Sequence, residues 1–126
     1  MESTMRVVVT IPGVRLKTPN NSGRGHWAEI ARRTREHRGL ARIYLSQLGG
    51  EVKADLLASP RLGVRIVRVG GRKMDIPNIL AASKGLIDGL ADWLGVDDKS
   101  DWYDWRMPTQ EPGAEYAVRF ELTREG

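Results

Sequence analysis

Apolar and polar positions along this chain change period several times, and each change marks an element. The run "MRVVVTI", Met5–Ile11, is β-branched and short, and predicts a first strand. "PGVRLKTPNNSGRG" follows with Pro, Asn, Ser and Gly in turn-forming clusters, and predicts a loop. From about His26 to Leu48 the spacing turns helical: Trp27, Ile30, Ala31 and Thr34, then Ala41, Tyr44, Leu45 and Leu48, with Gly49 and Gly50 as stops. "VKADLLA" has no clear period and admits a short helical turn before Pro60. "LGVRIVRVGG" predicts a second strand ending at a glycine turn. A second long helix is predicted from about Pro77 to Leu94, with Ile79, Leu80, Ser83, Leu86, Ile87, Leu90 and Leu94 as the stripe facing a sheet. "DWYDWRM" admits a strand, the segment near Pro108–Gly113 a turn, and "EYAVRFELT" a last strand. In that strand Tyr116, Val118, Phe120 and Leu122 alternate with Ala117, Arg119, Glu121 and Thr123.

The resulting order is β-α-β-α-β-β. It predicts an α+β fold with a small mixed sheet and two main helices packed on one face. At 126 residues, with no repeat, linker or low-complexity tract, the chain fits one domain covering residues 1–126. No apolar run approaches the roughly 18 residues of a membrane span, and no signal-peptide pattern opens the chain. With no cysteine there is neither a disulfide framework nor a thiolate metal site or cysteine nucleophile. A cytoplasmic protein without a membrane partner is the expectation.

Charge changes the picture further. The net charge is +4, but residues 1–73 hold 15 Lys and Arg against 5 Asp and Glu, a balance of +10. Residues 74–126 hold 5 against 11, a balance of −6. Such a split suggests a phosphate-binding surface beside a group of carboxylates.

The acids gather around the second helix, and each has a plain structural reading beside a chemical one. Asp75 can cap a helix whose first turn holds Pro77, or it can bind a metal. Lys84 and Asp88, four apart, can be an ordinary surface ion pair or parts of a site. Asp97 and Asp98 can form a solvated turn. As adjacent carboxylates they should raise each other's pKa unless a cation lies near. Asp101 and Asp104 follow. Trp102, Tyr103 and Trp105 could stack on bases, although in a strand Trp102 faces away from the other two and core packing explains them. His26 and His37, eleven apart on one helix, cannot share an ion and read as structural.

Taken together, Asp75-x-x-Asn78, Lys84, Asp88-Gly89-Leu90 and "LGVDD" resemble the RusA-like endodeoxyribonuclease family, whose founding activity is Holliday junction resolution. "TPNNSGRGHW" is similar to that family's Pro-Asn loop, and "HWAEIARRTREHR" to its basic first helix. The likeness runs from about Met5 to Asp98. One departure stands out: Pro77 occupies the place of the family's second aspartate, directly before the asparagine. Lys84 also lies six residues after Asn78 rather than three.

The resemblance implies a Mg²⁺-dependent endodeoxyribonuclease (Mn²⁺ being an alternative ion) that cuts branched DNA at a four-way junction, and it implies a homodimer. Asp75 and Asp98 would bind the metal, with Asp97 beside them. Lys84 would stabilise developing charge, while Asp88 and Asn78 would support from behind. Arg72 and Lys73 adjoin Asp75 and are expected DNA contacts, together with Arg32, Arg33 and Arg35 of the first helix. The dimer would use the aliphatic face of the first helix or an edge strand. The alternative is a non-catalytic junction-binding module whose metal site is degraded at Pro77.

Overall fold

The structure, a computed structural model, describes residues 5–17 and 26–125. Nine elements follow in order: β1 (Arg6–Pro12), α1 (His26–Ser46), α2 (Gly50–Leu57), β2 (Arg61–Val69), α3 (Ile76–Ala82), α4 (Lys84–Leu94), β3 (Tyr103–Trp105), β4 (Thr109–Glu111) and β5 (Ala117–Glu125). The sheet is mixed, with strand order β1-β5-β2-β3 and with β4 also pairing β2. β5 runs antiparallel to both β1 and β2, whereas β3 and β4 lie parallel to the two ends of β2. The expected α+β class with a small mixed sheet therefore holds.

Direct cross-strand partners share a face, and the register separates two surfaces. Val9 and Ile11 of β1, Val64 and Ile66 of β2, and Val118, Phe120 and Leu122 of β5 point one way into a single core. Each helix contributes to that core: Ala41 and Leu45 from α1, Leu56 from α2, Ile79 from α3, and Leu86, Leu90 and Leu94 from α4. All helices thus cover one face. The other face carries Arg6, Thr10, Arg65, Arg119 and Glu121, as the alternation in β5 predicts.

Several expectations are corrected in detail. "VKADLLA" is a full helix, α2, so the order is β-α-α-β-α-α-β-β-β. The long second helix breaks at Ser83 into α3 and α4. Ser83 is buried on the core stripe, and its hydroxyl finds an acceptor by donating to the Ile79 carbonyl at 2.6 Å. A buried hydroxyl must find such a partner, and bonding back to the preceding turn disturbs the helix there. With the break, Leu80 leaves the stripe and is 45% exposed. Trp27, expected on the packed side of α1, is 75% exposed. In the C-terminal part, the expected turn contains β4, and Tyr116 lies just outside β5.

The helices come close because two glycines allow it. A Cβ on Gly85 would meet the Thr34 carbonyl oxygen at 2.4 Å, and one on Gly89 would meet the Ala41 Cβ and the Arg38 carbonyl oxygen at 2.6 Å. α4 therefore lies with its backbone directly against α1, and Arg38 forms a two-bonded ion pair with Asp92 across the crossing, at 2.5 and 2.8 Å. The sequence reading of α4 had no role for either glycine in packing.

Candidate functional site

β2 is followed by Gly70 and Gly71, both at positive φ of 85° and 77°, and the chain folds back over the end of the sheet. Gly71 sits so close to Arg68 and Tyr116 that a Cβ would lie 2.9 Å from each. Both demands, the left-handed backbone and the close approach, call for glycine. The returning segment, residues 72–75, is held by Gln110 of β4. Its amide oxygen accepts from the Met74 N–H and its amide nitrogen donates to the Met74 carbonyl, each at 2.7 Å. This two-way clamp delivers Asp75 to the start of α3.

Asp75 is the residue before α3, in extended conformation, yet its side chain makes no capping hydrogen bond. Only its backbone carbonyl enters the helix, accepting from the Asn78 and Ile79 N–H groups at 3.0 and 3.1 Å. Pro77 is the second residue of α3, where the missing N–H removes no helical bond. The plain capping reading of the Asp75 carboxylate is thereby removed. That carboxylate instead lines an open pocket of about 590 Å³, with Asn78 beside it. Five cationic side chains share the pocket: Arg15, Lys17, Arg68, Arg72 and Lys73.

Lys84 and Asp88 meet as the spacing predicts, at 3.5 Å, with Lys84 72% and Asp88 20% exposed. Asp88 lines a second pocket of about 420 Å³ together with Asp92, Asp97 and Asp98, closed on one side by Arg38. Asp98 also borders a smaller apolar pocket under Leu80, Ile87 and Trp105. Thus the structure places Asp75 with Asn78, Arg72 and Lys73, and Asp88 with Asp97 and Asp98. None of these three pockets holds both Asp75 and Asp98. Nor do any three His, Asp or Glu side chains among the described residues gather as a ready metal site.

Asp97 departs from the expected rise in pKa. The Asp97 carboxyl is held below the ordinary carboxylate range chiefly by the Lys99 backbone N–H that it accepts at 2.9 Å. Local backbone donation outweighs repulsion between neighbours. Close by, the buried Tyr103 hydroxyl donates to the Val96 carbonyl at 2.7 Å. Its pKa is pushed up to about 12, first by burial and then by the charges of Asp98 and Asp97. Tyr103 and Trp105 stack at 4.9 Å, while Trp102 donates to the Ser59 carbonyl at 2.8 Å, so the aromatic trio is packing and sheet closure.

No known family model matches the chain, and no curated protein matches it.

Of the expected DNA contacts, Arg72 and Lys73 rim the basic pocket, and both are exposed. Arg32 and Arg35 are exposed on α1, while Arg33 is half-buried and bound to Glu29 at 3.1 Å. The loop likened to the family's Pro-Asn loop, residues 18–25, lies outside the described residues, as does the side chain of His26. His37 is buried and its pKa is lowered, first by burial and then by Arg33, in keeping with a structural role. Sequence reasoning missed Arg15, Lys17, Arg68 and Gln110. Arg68 left one signal: it alternates with Leu62, Val64 and Ile66, so it is a cation on the core face of a central strand.

Proposed function

We propose that this protein is a RusA-like, metal-dependent endodeoxyribonuclease acting on branched DNA. The observation that carries the reading is the Asp75 carboxylate. It stands at a helix start without capping it, and it opens onto a pocket lined by five cations. A carboxylate with no hydrogen-bond or ion-pair partner among the described residues, beside so much positive charge, fits a phosphate approached together with a divalent ion. Hard oxygen donors suit Mg²⁺, which is commonly held by one or two carboxylates with water and substrate phosphate completing the shell. Asp75 would hold it, with Asp98 and Asp97 as the further candidates from the acidic pocket. Bound Mg²⁺ supplies Lewis-acid polarisation of the phosphate and a more acidic water.

The chain's own groups have separate tasks in this reading. Arg72 and Lys73 hold the phosphate next to the reacting one. Lys84 offers a cation to the developing negative charge, and Asp88 orients it through their ion pair. Asn78, beside Asp75, holds a water or the adjoining backbone. Arg32 and Arg35 extend the contact along α1. Cutting two symmetry-related strands of a four-way junction requires a homodimer, for which the exposed Ile43 side of α1 and the β1 edge are available.

A second reading, a junction-binding module without catalysis, is favoured by Pro77 and by the absence of a three-carboxylate group among the described residues. One assay separates the two. A labelled four-way junction and its matched linear duplex are incubated with Mg²⁺, Mn²⁺ or chelator, with Asp75→Asn and Asp98→Asn alongside. Metal-dependent cuts confined to the junction and lost in both variants support the nuclease. Retained junction binding with no cleavage under any metal selects the binding module. Should Pro77→Asp then restore cleavage, Pro77 marks a lost ligand.

A further inference from the structure

The basic pocket contains more positive charge than a site built on Asp75, Arg72 and Lys73 requires. Arg68 stands out. It projects from the core face of β2, is only 7% exposed, and among the described residues has no carboxylate partner. One guanidinium nitrogen, Nη1, is spent on the Arg72 carbonyl at 2.6 Å and the Gln110 amide oxygen at 3.3 Å. Nη2 and Nε donate to no acceptor among the described residues, and Arg68 lines the pocket. A buried cation is costly unless its charge is compensated, so a central-strand arginine held in place by neutral acceptors alone is a group prepared for an anion.

The surroundings are built for the same ligand. Arg15 lies over the Tyr116 ring at 5.0 Å, a cation–π contact that holds its guanidinium at the mouth of the pocket. Lys17 joins it, and both are exposed at the rim. Gly71, where a Cβ would strike Arg68 and Tyr116, keeps the approach open. Five cations against the single carboxylate of Asp75 favour an anion of high charge, and planar guanidinium groups suit phosphate oxygens in particular. At about 590 Å³ the pocket has room for a nucleotide unit rather than a bare ion alone.

We infer that Arg68, Arg15 and Lys17 form a phosphate-binding subsite that grips a backbone phosphate of single-stranded nucleic acid, independently of any metal. The inference rests on the proposed function only in taking nucleic acid as the source of the phosphate. It adds to the same pocket a contact made by residues other than Asp75, Arg72 and Lys73. An unpaired strand suits it because a pocket, unlike a flat basic patch, admits a backbone that can bend in.

The test is binding of a fluorescent single-stranded oligonucleotide to the full chain in chelator, across a salt series, with inorganic phosphate as competitor. Variants are Arg68→Lys, which keeps the buried charge but not the fork, and the rim double variant Arg15→Ala/Lys17→Ala. Arg124→Ala, exposed at the opposite end of β5 from Tyr116, controls for net charge. The expected result is roughly tenfold weaker binding for each pocket variant and little change for the control. The salt slope of the rim variant should also fall by about one to two units. Competition by inorganic phosphate at far higher concentration than the oligonucleotide needs would identify the shared group and nucleic acid as its preferred source. Equal or better binding of free phosphate, or pocket variants indistinguishable from Arg124→Ala, would overturn the subsite. Cleavage outcomes are read separately: a wild-type protein that binds through these residues but never cuts refutes the nuclease and leaves the subsite standing. A protein that cuts junctions while the rim variant binds normally does the reverse.

Discussion

Asp75 stands before α3 with a carboxylate that the helix does not use. Replacing a working cap residue ordinarily costs about 1 kcal/mol. Asp75→Ala should therefore leave the unfolding free energy within about 0.5 kcal/mol of wild type by urea denaturation, while abolishing junction cleavage. A destabilisation of cap size would return Asp75 to a purely structural role. His37 gives a prediction in pH. Its folded pKa is depressed below the ordinary 6.5 by burial and by Arg33, so the unfolded chain takes up a proton more readily. Stability is then fully present above about pH 6.5 and is lost as pH falls below it towards the folded value. Melting temperatures between pH 7.5 and 5 should drop for wild type more steeply than for His37→Gln. Parallel profiles would show that His37 does not titrate with folding. At this scale the sequence was readable for Lys84 and Asp88, whose four-residue spacing sets their ion pair. It was silent on Gln110, whose clamp on Met74 joins residues 36 positions apart.

Among the elements, the α1–α4 crossing depends on Gly85 and Gly89. A side chain at Gly89 would press on Ala41 and on the Arg38 carbonyl at 2.6 Å, both in the fixed frame of α1. Gly89→Val is expected to cost roughly 1–3 kcal/mol or more by overpacking, visible as a lower urea midpoint. Gly39→Ala, where a Cβ meets nothing within 4 Å, should be neutral or stabilising. The reverse order would place the crossing elsewhere. The strands and helix types were legible because periodicity reports which face is buried. The break at Ser83 was not, since only the depth of burial forces its hydroxyl onto Ile79. β4 was hidden for a similar reason: three residues between prolines carry too little pattern, and β2 alone supplies their partner.

Over the whole molecule, the basic and acidic halves of the chain do not form basic and acidic halves of the surface. On the open sheet face, Glu121 meets Arg6 at 2.7 Å, Arg119 at 3.4 Å and Arg65 at 4.0 Å, while only 11% exposed. Arg119 also binds Glu111 at 2.6 Å, and Arg106 reaches Glu125 at 3.3 Å. Folding neutralises much of the charge split there, while five cations gather in the pocket beside Asp75. Glu121→Gln should leave three crowded guanidinium groups and cost roughly 1–3 kcal/mol. That loss should shrink in high salt, as added ions screen the cations. A salt-independent loss would point to packing instead.

The sequence alone determined the α+β class, the strands of the sheet other than β4, the α4 core stripe and the Lys84–Asp88 pair. These depend on local period and on separations of a few residues, which the chain carries within itself. Only tertiary structure decided that the Asp75 carboxylate lines a pocket rather than capping α3, and that Arg68 and Arg15 converge on that same pocket. It also decided that Asp75 and Asp98 open onto different pockets. Each of these is set by how distant segments fold back on one another, and burial, charge and hydrogen bonding at such meetings have no counterpart in spacing along the chain.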